Sequence, residues 1–166
     1  MVGINAMPAS DIMTRRVVTA KAETSVTAIA RLMQAHHVSA IPVIDDQSHV
    51  IGIVSEHDLL RAPPGDSPRA WWLRFFDKDS VCLEDIATAR HRRAKDVMRL
   101  HVRTVSDTTP IGVLGSLMQR HKLKHVPVLH DGKLVGIVSR SDLIAALLGD
   151  NQEATGPSPE YRFFGE

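Results

Sequence analysis

The 166 residues, 43% apolar and 23% charged, fit one compact domain or two small ones and are ordinary for a soluble globular chain. Twenty Lys and Arg against nineteen Asp and Glu leave a formal charge of +1, which excludes a global field that would draw nucleic acid or membrane, although nine His add positive charge in mild acid. The lone Cys82 excludes an internal disulfide and belongs to no CxxC pair, no uncharged stretch reaches membrane-spanning length, and the opening Met1-Val2-Gly3-Ile4-Asn5-Ala6 lacks the pattern of a secretory signal, so a cytoplasmic location is expected.

In chain order, Val17-Val18-Thr19 reads as a short strand. Thr24 then caps a helix whose apolar positions Val26, Ile29, Ala30 and Met33 follow three-and-four spacing and which ends near His36-His37. Residues 40–44 and 50–54 are β-branched runs joined by the polar turn Asp45-Asp46-Gln47-Ser48-His49, a hairpin signal, and a second helix starts at Ser55. The same order returns: a strand over 102–105, a helix opened by Thr109 with Pro110 at its first position, a hairpin turning at Asp131-Gly132, and a helix from Ser139 toward Leu148. The motifs return with it. Asp11-Ile12-Met13 recurs as Asp96-Val97-Met98 and Ile41-Pro42-Val43-Ile44 as Val126-Pro127-Val128-Leu129, both displaced by 85 positions, and Gly52-Ile53-Val54-Ser55 recurs as Gly136-Ile137-Val138-Ser139. Each copy closes on an acid, Asp58 and Asp142. The unit is β-α-β-β-α, and a duplicated unit that cannot bury its apolar face alone is expected to pack about a pseudo-twofold axis, with ligands in clefts between the halves.

This order of D-[IV]-M opening, h-P-V strand and G-I-V-S-x-x-D close, present twice, resembles a tandem pair of CBS domains. The resemblance divides the chain into repeat 1 over 10–62, an aromatic linker over 63–93, repeat 2 over 94–148 and a tail over 149–166. It implies a mixed α/β fold and a non-catalytic regulatory module that dimerises. It also implies an adenosine-containing ligand: AMP, ADP or ATP, with S-adenosylmethionine or NAD as lesser alternatives. No output domain is visible, so a signal would pass to a separate protein. The alternative is a ligand-free dimerisation and interaction scaffold.

Ser55-Glu56-His57-Asp58 and Ser139-Arg140-Ser141-Asp142 sit where a strand runs into a helix. Ser and Asp there form a capping box, and the same geometry offers a carboxylate to ribose hydroxyls and a helix N-terminus to phosphate; the two roles are compatible. With the resemblance, Asp58 and Asp142 become ribose ligands. The adenine walls that it implies fall at Val18, Thr19, Ala40, Ile41, Pro42 and Ile53, and at Arg103, Thr104, His125, Val126, Pro127 and Ile137; plain sheet core is the competing role for Ile41, Val126 and the prolines. Arg140 follows Ser139 where Glu56 follows Ser55, so the Asp142 cleft is the expected home of a phosphorylated ligand.

The remaining signals are weaker. All seven aromatics lie outside the repeats, at Trp71, Trp72, Phe75 and Phe76 in the linker and Tyr161, Phe163 and Phe164 in the tail, which suggests an extended homodimer contact. The run Arg90 to Lys95 has no interleaved aromatics to stack bases, so nucleic acid is not an expected partner. His121 and His125 are four apart, but one ends a helix and the other begins a strand, so no metal is expected. No nucleophile elbow, zincin or phosphate-loop motif appears, and no enzyme activity is expected.

Overall fold

Two runs of β-branched residues fold as the hairpin strands β1 (Ala40–Ile44) and β2 (Val50–Ser55) in a computed structural model that describes residues 6–60 and 92–149. The segment from Trp71 to Phe76, Cys82 and the tail from Tyr161 lie outside the described residues. Chain order continues with helix α1 (Val26–His36) before that hairpin and α2 (Glu56–Leu60) after it, then α3 (Ala94–Val97) and β3 (Val105–Ser106). Helix α4 (Ile111–Arg120), strands β4 (His125–His130) and β5 (Lys133–Ser139) and helix α5 (Arg140–Leu148) complete the set.

The described residues fall into two compact units, one of residues 18–60 and 92–102, the other of residues 6–17 and 103–149. Each unit therefore takes its D-[IV]-M opening from the other repeat. In the first, β1 pairs antiparallel with β2 in the register Ala40↔Ser55 and Pro42↔Ile53, and Ile29, Ile41, Val43 and Val54 have no exposed surface. In the second, β4 pairs with β5 as His125↔Ser139 and Pro127↔Ile137, and Leu114, Val126, Val128 and Val138 fill the matching core positions. Each such side chain stabilises its unit by roughly 1.5–3 kcal/mol relative to exposure.

The exchanged opening is held by a close fit. A Cβ on Gly52 would run into Met98, with Cγ at 2.8 Å, and a Cβ on Gly136 would run into Met13, with Cγ at 2.7 Å. Only glycine lets the methionine lie across the hairpin. The next residue along then zips on: Arg99 N–H donates to the Ile53 carbonyl at 2.9 Å and accepts from Ile53 N–H at 3.1 Å. Thr14 and Ile137 make the same reciprocal pair at 2.9 and 3.0 Å.

Three local expectations are corrected. Val17-Val18-Thr19 forms no strand: only Ala20 bridges to Val43, donating to the Pro42 carbonyl at 3.0 Å. The next ladder bond backwards would need the N–H that Pro42 lacks. In the other unit Val105 pairs with Val128, beside Pro127, and the ladder runs only forward, to Ser106↔Leu129. Second, the cap of α1 is Ser25, whose Oγ accepts from Ala28 N–H at 3.2 Å, while Thr24 Oγ1 accepts from Lys21 N–H at 2.9 Å and closes the preceding turn. Third, Pro110 is the N-cap of α4 rather than its first helical residue, with ψ at 139°. The Asp131-Gly132 turn has φ of 48° and 79°, the paired positive values of a two-residue hairpin.

Candidate functional site

Each unit carries one full set of the expected ligand residues. In the first unit the end of β2 delivers Ser55 and the first turn of α2 delivers Asp58. Asp58 Oδ2 accepts from Ser55 N–H at 2.8 Å and from Ser55 Oγ–H at 2.5 Å. In the second, Asp142 Oδ2 accepts from Ser139 N–H at 2.6 Å and from its hydroxyl at 2.8 Å, and Ser139 Oγ accepts from Asp142 N–H at 3.3 Å. This is a capping box with Asp at the third helical position. Capping engages one oxygen of each carboxylate, and Oδ1 of each has no hydrogen-bond partner among the described residues. An acceptor held this way suits a hydroxyl donor.

The expected adenine positions divide by chemistry. Ile41, Pro42, Val126 and Pro127 are fully buried core side chains, so only their backbone could meet a ring, and Ala40 is 6% exposed. Val18, Thr19, Thr104, His125 and Ile137 are half-buried and Arg103 is exposed, so these side chains reach the surface. Strand pairing sets Ala40 opposite Ser55 and His125 opposite Ser139, which joins the hairpin strand to the Ser-x-x-Asp turn in both units.

The cationic side chains of the two units are held differently. Arg140 N–H donates to the Lys124 carbonyl at 3.1 Å, and its Nε donates to the Leu123 carbonyl at 2.8 Å, so the guanidinium is anchored on the segment before β4. Among the first three N–H groups of α5, those of Arg140 and Asp142 are engaged, which leaves that of Ser141. In the other unit Glu56 is exposed, yet that unit has its own guanidinium: Arg99 Nε lies 3.3 Å from Asp58 Oδ2, and its Nη2 donates to Ser55 Oγ at 3.2 Å. Sequence reasoning missed Arg99. It sits one place beyond Asp96-Val97-Met98, and its proximity to Asp58 follows from the Met98–Gly52 fit, which motif spacing does not reveal. The contrast of Glu56 with Arg140 is thus only part of the charge difference between the two faces.

Among the described residues no group of three or more His, Cys, Asp or Glu could hold a metal ion, and no helix is long and apolar enough to cross a membrane. Two other carboxylates have lowered pKa values. For Asp45 the main cause is the His49 backbone N–H, opposed by desolvation and aided by the His49 ring; for Asp107 desolvation pushes upward but is outweighed by the Ser106 hydroxyl and His130.

Comparison with known proteins bears on this geometry. The family model of the CBS domain matches residues 9–65 and 94–149. An uncharacterised protein of Methanocaldococcus jannaschii is 28% identical over 151 residues, 83% of this chain and 89% of its own. The CBS domain of a CBS-domain-containing membrane protein from Sphaerobacter thermophilus superposes with a TM-score of 0.71 at 31% identity, covering 87% of this chain and 90% of that one. The structure of CBSX2 in complex with AMP superposes with a TM-score of 0.67 at 28% identity, covering 86% of this chain and 97% of that one.

Proposed function

The chain belongs to the CBS-domain family, and from that membership we propose that it is a non-catalytic regulatory module that binds an adenosine-containing ligand at its two Ser-x-x-Asp faces and signals to a separate protein. The observation that carries this reading is the duplicated carboxylate with one oxygen fixed by the cap and the other unengaged, at Asp58 and Asp142. Two ribose hydroxyls are the donors such a group accepts, and charge-assisted hydrogen bonds of this kind contribute about 1.5–3 kcal/mol each. Thr19, Ala40, Ile41 and Pro42 in one unit, and Thr104, His125, Val126 and Pro127 in the other, would supply the ring's surroundings. AMP is the favoured ligand, supported by the AMP complex of CBSX2, whose crystallised chain is covered to 97%. Regulation would follow from different ligand affinities in two arrangements of the protein.

Homodimerisation belongs to the same reading. Val113, Ile144, Leu147 and Leu148 are 57–72% exposed, which supports burial of α4 and α5 against a second copy. The test of the function is calorimetry and thermal shift of nucleotide-free protein with AMP, ADP, ATP, NAD and S-adenosylmethionine. Saturable binding of an adenosine compound is expected. Silence from all of them overturns the proposal and leaves the interaction scaffold.

A further inference from the structure

The first unit holds a charge arrangement that duplication does not explain. At the position after the motif methionine the second unit has Thr14 and the first has Arg99, and the backbone at both is zipped to the hairpin in the same way. Arg99 is fixed twice over. Its backbone is paired with Ile53, and its side chain faces Asp58 Oδ2 at 3.3 Å and donates to Ser55 Oγ at 3.2 Å. Asp58 is itself 9% exposed, and its Oδ1 has no partner among the described residues, so a nine-tenths-buried acceptor opens beside a held guanidinium. A guanidinium has five N–H donors in a planar fork, and two of these nitrogens face Asp58 and Ser55. The side chain remains 59% exposed, so the other donors are available to a ligand.

The neighbouring charges make Arg99 decisive. Asp58 and the exposed Glu56 are both carboxylates, His57 beside them is exposed, and no other Lys or Arg contacts Ser55 or Asp58 among the described residues. Without Arg99 the face would carry two negative charges and repel a phosphate.

We propose that Arg99 sets the ligand charge accepted at the Asp58 face: it selects adenosine compounds with an anionic 5′ group, such as a phosphate, over uncharged adenosine or a cationic sulfonium. This deepens the proposed function and rests on it. A nucleoside whose ribose hydroxyls meet Asp58 Oδ1 presents its 5′ substituent to the surroundings of that carboxylate, where the free edge of the Arg99 fork can take phosphate oxygens. In the second unit Thr14 offers no charge at this position, and the cation arrives instead from Arg140, anchored on Leu123.

The test is calorimetry with AMP, adenosine and S-adenosylmethionine on the full chain carrying Asp142→Asn, which weakens the second face, with and without Arg99→Thr. Thr is the residue that the second unit tolerates at the same place. With Arg99 present, AMP should bind about ten- to a hundredfold tighter than adenosine, the range of one charge-assisted hydrogen bond. Arg99→Thr should collapse that ratio toward one and move the preference toward S-adenosylmethionine, and Arg99→Lys should restore part of it. An AMP-to-adenosine ratio unchanged by Arg99→Thr overturns the role of Arg99, with the binding function intact. Silence of all three ligands on wild-type protein overturns the function itself and this inference with it. Should the Asp142→Asn chain fail to fold, a two-site titration of wild type against Arg99→Thr decides the same point, since one class of site should lose its AMP preference.

Discussion

The unit of residues 18–60 and 92–102 and the unit of residues 6–17 and 103–149 have the same core and different polar faces. Ile29, Met33, Ile41, Val43 and Val54 in one stand where Leu114, Met118, Val126, Val128 and Val138 stand in the other, all nine-tenths buried or more. Around the two Ser-x-x-Asp turns the cation differs: the first unit brings Arg99 on the exchanged segment, and the second brings Arg140 on the first turn of α5. A core position touches many neighbours and tolerates little change in volume. A guanidinium at the surface is under no such constraint: Arg99 pairs with Asp58, whereas Arg140 is held by the Leu123 carbonyl.

The largest break in the comparison is expected where the units agree. Gly52→Ala and Gly136→Ala should each destabilise by about 1–3 kcal/mol through collision with Met98 and Met13. Combining Gly136→Ala with Met13→Ala should cost less than the sum of the two, because each change makes room for the other. Urea unfolding measures this, and strict additivity would show that the methionine does not lie over the glycine.

A smaller effect separates the caps. Ser139→Ala removes a cap and one of the bonds to Asp142, for a loss of about 1 kcal/mol. Ser55→Ala removes the corresponding bond to Asp58 and also the acceptor of Arg99, so it should cost at least as much. The reverse order, read by denaturant midpoints at constant slope, would mean that the Arg99 contact is not formed in solution.

Arg99→Thr should shift stability by less than about 1 kcal/mol, because the ion pair is open to solvent on the arginine side and is screened accordingly. Its effect on ligand choice should far exceed its effect on folding.

The smallest expected effect is acid dependence. Asp45 in one unit and Asp107 in the other have folded pKa values below the ordinary 3.8, so each contributes stability that is full above about that pH and fades as pH falls through its lower folded value. Asp107→Asn should flatten the decline below pH 4, as read by unfolding at graded pH. A decline as steep as that of wild type would remove Asp107 from the account.

Much of this was legible in the sequence because it is local. The spacing of Val26, Ile29 and Met33 marked α1, the paired β-branched runs marked both hairpins, and Ser139 to Asp142 marked a cap. Failures came where a distant residue intervenes. Pro42 ends the ladder that Val17 to Thr19 would have formed, and Met98 on Gly52 brings Arg99 to Asp58 across more than forty residues of chain. The G-I-V-S and D-[IV]-M motifs were visible separately; that each glycine exists to admit the other repeat's methionine is a fact of packing. The anchor of Arg140 is of the same kind, because its Nε donates to the Leu123 carbonyl, a contact that its place in the Ser-x-x-Asp turn does not reveal.

The most direct test is titration of nucleotide-free protein with AMP in four forms: wild type, Asp58→Ala, Asp142→Ala and the double variant. If the capped carboxylates bind ribose, each single change removes one class of site, the double removes both, and all four proteins remain folded by circular dichroism. A folded double variant that binds AMP as wild type does would contradict the account.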